Sequence, residues 1–282
     1  MAPEVTQRGG AGQSPKRRRW LIVGGLSLGF WIVFLVFAAI FGETHLNATV
    51  FILGSFAVPV TIVVYNLDHL ADQATLSGER VTYAFLGGGL LALVLALPLN
   101  RLLVPPIESA IGVWGNLLVG FTEEIAKLAA LVVCALGLAR FTVRNGVVLG
   151  SAVGFGFAAF ETAGYLTDLL PEVGLWSGVV PNAIARGILT PAAHGLFTAV
   201  VGTALFRGAS RRGRLRLGWE VVIAYLWVSL LHGLYDVAAS QHGLLMYAGI
   251  VVMSLIAVAT LLVVWRLWVP KERGVQLSPA SD

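Results

Sequence analysis

The chain has 282 residues, of which 57% are hydrophobic and only 12% charged, with a mean hydropathy of +0.83 and a net charge of +4. Soluble domains carry about 25% charged residues, so this composition, gathered into long apolar blocks, excludes that class and reads as a polytopic membrane protein. The basic excess is not a nucleic-acid signature, because the basic residues fall between the apolar blocks, where topology accounts for them.

Four basic residues at 16–19 precede an apolar run over 20–41. A signal-peptide core spans only about 7–15 residues, so this longer run predicts a retained first helix. Further blocks able to span follow at 48–65, 82–100, 113–138, 145–166, 177–206, 218–239 and 243–267. About 20 helical residues cross a bilayer, and isolated strands cannot. The expectation is an all-α protein with eight transmembrane helices. It divides into a basic N-terminal tail (1–19), a helical membrane domain (20–268) whose polar core lies at 113–239, and a C-terminal tail (269–282).

Lysine and arginine set the orientation. With the N-terminus in the cytoplasm, all 19 of them except Arg101, Lys127 and Arg186 fall in cytoplasmic segments, so both termini are expected inside. The connection "RGASRRGRLR" is the richest of these segments, while "TDLLPEVGLWSG" and the region of Arg101 are expected as outside loops. Gly25–Gly29 and Gly150–Gly154 have the small-xxx-small spacing that suits close helix packing. The single cysteine, Cys134, rules out an internal disulfide and a cysteine metal cluster.

Charges inside the apolar blocks carry the functional signal, since each costs about 2.5–3.5 kcal/mol at the bilayer centre on insertion scales. The block at 113–138 holds Glu123, Glu124 and Lys127. Glu123 and Lys127 are four apart and share a face, whereas Glu124 lies about 100° around the helix. Lys127 is therefore expected to neutralise Glu123 and leave Glu124 facing a cavity. The block at 145–166 aligns Phe157, Glu161 and Tyr165 in one stripe. Arg186 and His194 lie in the block at 177–206, and His232 and Asp236 share a face in the block at 218–239. Counted at about 1.5 Å per residue, these groups reach a common depth in the outer half of the membrane. Four helices converging in this way predict a polar cavity. Such a cavity suits hydrolysis, a proton or ion relay, or a non-catalytic binding site for a helix or lipid. The zinc-protease motif HExxH is absent from the sequence, and no repeat symmetry favours a transporter.

Taken in order, "EEIAK", "FAAFE" running into "ETAGY", "RGILTPAAH" and "HGLYD" resemble the PrsW family of bacterial intramembrane proteases, itself distantly similar to the CAAX prenyl endopeptidase (Abi) family. The resemblance covers roughly 115–237. It implies an endopeptidase in the bacterial cell membrane, acting on a single-span membrane protein such as an anti-sigma factor in site-1 cleavage, with the lipid bilayer and no nucleic acid as its surroundings. It makes Glu123 and Glu124 the catalytic pair, with Glu124 as the base, although the reverse assignment stays open. Glu161, His194 and His232 complete the site. They serve either as a two-histidine, one-carboxylate set for a divalent metal such as Zn2+, or without metal, with a histidine donating to the oxyanion. Arg186 and Tyr165 support or orient, and Asp236 is either a ligand or an orienter of His232.

Overall fold

The computed structural model describes residues 18–41, 47–173 and 175–269, and within them the side chains of all but a few positions, 187–192 among these. Both expected tails lie outside the described residues except at their inner ends. The elements are α1 (Arg19–Phe41), α2 (Asn47–His69), α3 (Gly78–Tyr83), α4 (Gly89–Ile111), α5 (Asn116–Ala135), α6 (Val143–Val173), α7 (Val180–Arg212), α8 (Trp219–Ala239) and α9 (Gly243–Trp268). A π-helical turn joins α3 to α4, and no strand occurs among the described residues. Each of the eight expected blocks centres on a long helix.

Among the described residues, six stretches are long and apolar enough to cross a membrane. One of them, Gly78–Ala135, has 58 residues, about 87 Å of helix against a hydrocarbon core of about 30 Å. It folds back on itself at the tight turn Gly112–Gly115, where Gly112 takes φ 62°. Beyond that turn α5 packs on α4, and Asn100 meets Thr122 and Glu123. The fold is an all-α polytopic membrane protein.

Two expected loops are helical over their described residues instead. α4 continues through Arg101 and Pro105 to Ile111, and α6 continues through Asp168 and Pro171 to Val173. Hydropathy marks where the bilayer ends, and a helix can run on past it. In α4 the prolines at 105 and 106 are exposed, so the carbonyls they leave unbonded reach the surroundings. In α6, Leu166 and Leu170 continue one stripe and join Val50, Phe51 and Val179 in a second apolar cluster, which rewards the extra turns.

α6 is the central helix: 83% of its spanning window is buried, against 6% for α1. Its glycine face is what brings α7 close. A Cβ on Gly150 would stand 2.4 Å from Thr198 O, and one on Gly154 would stand 2.3 Å from His194 O. The expectation for Gly150–Gly154 therefore holds, whereas Gly25 and Gly29 face open space with nothing within 4 Å. α5 meets α8 in the same way, with Gly120 against the backbone of Ser229 and Gly233. These two close approaches bring α5, α6, α7 and α8 together around the polar residues.

Candidate active site

Helix α5 supplies the first charges. Glu123, Glu124 and Lys127 are all buried, Lys127 completely. Lys127 Nζ donates to Glu124 Oε1 at 2.9 Å and to Glu123 Oε2 at 3.3 Å, and stands 4.0 Å from the Phe157 ring centroid. The lysine therefore serves both glutamates and lies nearer to Glu124, contrary to the expected pairing with Glu123 alone. Helix geometry explains this, because positions i+3 and i+4 are both neighbours on a helix surface.

The histidines come from α7 and α8. His232 Nδ1 lies 3.0 Å from Glu124 Oε1. A carboxylate only accepts, so Nδ1 carries the proton and donates, and in the neutral ring Nε2 holds the free lone pair. That Nε2 is 3.6 Å from Glu123 Oε2 and 3.6 Å from Asp236 Oδ2. His194 is arranged the other way round. Its Nδ1 is 2.8 Å from Lys127 Nζ, which only donates, so Nδ1 accepts and Nε2 faces Glu161 Oε2 at 3.3 Å. The two rings stand edge to face with centroids 4.7 Å apart, flanked by Phe157 and Phe197.

Asn100 on α4 is a site residue that charge-based reasoning passes over. Its Nδ2 donates to Glu123 Oε1 at 3.1 Å and its Oδ1 accepts from Thr122 Oγ1. Its sequence signal is faint, since it is an uncharged amide at the edge of an apolar block. Glu161 is held by Arg186, whose Nη2 is 3.3 Å from Oε2 and whose guanidinium lies 4.2 Å from the Tyr165 ring centroid.

Three donors, from Glu123, His194 and His232, lie within 4.8 Å of one another. Glu123 Oε2 is 3.6 Å from His232 Nε2 and 4.0 Å from His194 Nδ1, close to the roughly 3.3 Å that separates ligands around a tetrahedral ion with bonds of about 2.0 Å. Glu124 on the far nitrogen of His232 is the kind of partner that fixes a metal-binding imidazole. Two buried carboxylate oxygens here, Glu124 Oε2 and Asp236 Oδ2, have no hydrogen-bond partner among the described residues. The residues thus fit a divalent ion once Lys127 Nζ releases the single lone pair of His194 Nδ1 that it engages here. The set differs from the expected one: Glu123 stands where Glu161 was anticipated, because Glu161 meets the opposite nitrogen of His194 and is engaged by Arg186.

The cluster is closed around Lys127, Glu124 and His232 and more open at Glu161, Arg186 and Asp236, whose side chains are 27%, 26% and 25% exposed. On that side Tyr165, Asn182, Arg186, Tyr235 and Tyr247 line a cavity of about 190 Å³ between α6, α7, α8 and α9. Carboxylates, imidazoles and an opening to the outside are the requirements for activating water against a carbonyl.

A family model described as PrsW family intramembrane metalloprotease matches residues 76–264, which include every site residue named above. Protease PrsW of Bacillus subtilis (strain 168) is 30% identical over 118 residues, 42% of this chain and 50% of that protein. Protease PrsW of Halalkalibacterium halodurans is 31% identical over 121 residues, 43% of this chain and 51% of that protein. The chain thus spans about half the length of the curated relatives it matches, and no solved structure matches it. With the match extending from the turn before α3 into α9, the chain belongs to the PrsW family of intramembrane metalloproteases.

Proposed function

We propose that this protein is an intramembrane endopeptidase that hydrolyses a peptide bond of a membrane-anchored, single-span protein. The observation that carries the proposal is the buried meeting of Glu123, Glu124, His194 and His232 beside the unpartnered Glu124 Oε2. Glu123, His194 and His232 would hold a divalent ion, Zn2+ suiting this donor set, and such an ion would supply Lewis acidity toward a carbonyl or a water.

The chain's own residues do the remaining work. Glu124 Oε2 takes the proton from the attacking water, while Oε1 keeps His232 in its donating tautomer. Lys127 offsets the charge of both carboxylates through its hydrogen bonds to Glu124 Oε1 and Glu123 Oε2. Asn100 fixes the rotation of the Glu123 carboxylate through Oε1. The substrate segment enters through the cavity beside Arg186 and Tyr165, with Arg186 and Asp236 orienting it. With both termini in the cytoplasm of a bacterial cell, the cut falls in the outer half of the cytoplasmic membrane. That position suits site-1 cleavage of an anti-sigma factor.

The test is cleavage of a single-span reporter in proteoliposomes by Glu124→Gln and Glu123→Gln variants. Each should insert normally and lose cleavage by at least about 100-fold. Normal cutting by both overturns the proposal.

A further inference from the structure

The basic connection between α7 and α8 has no part in the peptidase site. α7 ends at Arg212, where Gly213 adopts φ 68° and its N–H bonds Ala209 O at 2.8 Å. That left-handed turn throws the next residues back toward the start of α8. Five arginines lie in this stretch, at 207, 211, 212, 214 and 216. Glu220 Oε1 accepts from Arg207 Nη1 at 3.0 Å and from Arg211 Nη1 at 3.1 Å. Arg212, Arg214 and Arg216 have no carboxylate partner among the described residues.

Arg212 and Arg216 both line a concavity of about 350 Å³, together with Leu217, Gly218, Trp219 and Val222. Trp219 is 80% exposed, the placement of an aromatic ring at the membrane–water boundary. From the same first turns of α8, Ile223 and Trp227 form one wall of an almost wholly apolar groove of about 520 Å³, with Ile256, Ala259 and Val263 of α9 opposite. Orientation alone explains why this connection is basic. It does not explain why two guanidinium groups without a carboxylate partner among the described residues, one of them donating only to Gly208 O at 3.3 Å, share a concavity next to an apolar groove.

We infer that this end of the α7–α8–α9 bundle is a binding site for an anionic phospholipid. Arg212 and Arg216 hold its phosphate, Arg214 adds field, Trp219 packs at the glycerol level and an acyl chain lies in the groove. A soluble phosphate would leave the groove unfilled, and the unmatched positive charge selects an anionic over a zwitterionic headgroup.

The test uses the full chain, purified in detergent and supplied with an equimolar mixture of phosphatidylglycerol and phosphatidylcholine, with bound lipid read by native mass spectrometry. Phosphatidylglycerol should be retained preferentially, and an Arg212→Gln/Arg216→Gln variant should lose that preference by about fivefold for each arginine removed. Ala259→Trp, which fills the groove from an exposed position on α9, should lower retention of both lipids without changing the unfolding temperature. Equal retention of the two lipids by the unaltered protein, or an unchanged preference in the double variant, overturns the assignment. The readout is lipid mass, so the result is independent of whether the protein cleaves peptides.

Discussion

Gly29 and Gly154 sit in identically spaced glycine pairs, yet alanine at each should have opposite consequences. A methyl group on Gly154 would stand 2.3 Å from His194 O, 2.8 Å from Thr198 Oγ1 and 2.9 Å from the His194 carbonyl carbon. Real Cβ contacts essentially never fall under 3.0 Å, so in a close-packed interior α6 and α7 must part by at least about 0.7 Å. His194 moves with its backbone. Its 2.8 Å contact to Lys127 Nζ then passes the roughly 3.2 Å limit of a good hydrogen bond, and its 3.3 Å contact to Glu161 Oε2, already at the edge of that range, lengthens further. A displacement approaching 1 Å costs on the order of 100-fold in rate. Gly154→Ala should therefore lower kcat/KM for a single-span reporter in proteoliposomes by ten- to 100-fold, with a fall in unfolding temperature. Gly29 has nothing within 4 Å, so Gly29→Ala should leave cleavage unchanged and, by removing a helix-interior glycine, hold or raise stability by up to about 1 kcal/mol. Wild-type cleavage by Gly154→Ala at an unchanged unfolding temperature, or an equal loss in Gly29→Ala, would refute the reasoning.

Elemental analysis of purified protein distinguishes the two ligand sets: Glu123→Gln, His194→Ala and His232→Ala should each strip the ion, whereas Glu161→Gln should keep it. The opposite pattern for the two glutamates would restore Glu161 as the ligand. Lys127→Met leaves two buried carboxylates without their cation, a loss of about 3–5 kcal/mol. Because the ammonium and an ion share Glu123 Oε2 and His194 Nδ1 as acceptors, added Zn2+ should recover part of the lost unfolding temperature, and no recovery would argue against a shared site. Asn100→Ala removes the donor to Glu123 Oε1 and should cost about 10- to 100-fold in metal affinity or cleavage, measured by competition with a chromogenic chelator and by the reporter assay.

The sequence makes the convergence of four helices legible because an ionisable group in an apolar run is costly and needs a reason to be there. Glu123, Glu124, Lys127, Glu161, His194 and His232 all announce themselves in this way, and all meet. Helix ends were harder to read. Asp168 and Arg101 mark where hydropathy falls, but α6 and α4 continue past them. Asn100 is uncharged and gives no comparable signal. The division of labour within the cluster was also out of reach, for a geometric reason. Periodicity reports an angle about one helix axis, so it relates Glu123 to Lys127 but says nothing about their distance from His194 or His232. Those distances depend on how closely four axes approach. The approach is set at Gly154 against the carbonyl of His194 and at Gly120 against Gly233, one helical turn before Glu124. A shift of either pair by the width of a methyl group separates donors that now stand 3.6 and 4.0 Å apart. The glycines that look like generic packing in the sequence thus decide which carboxylate meets which imidazole.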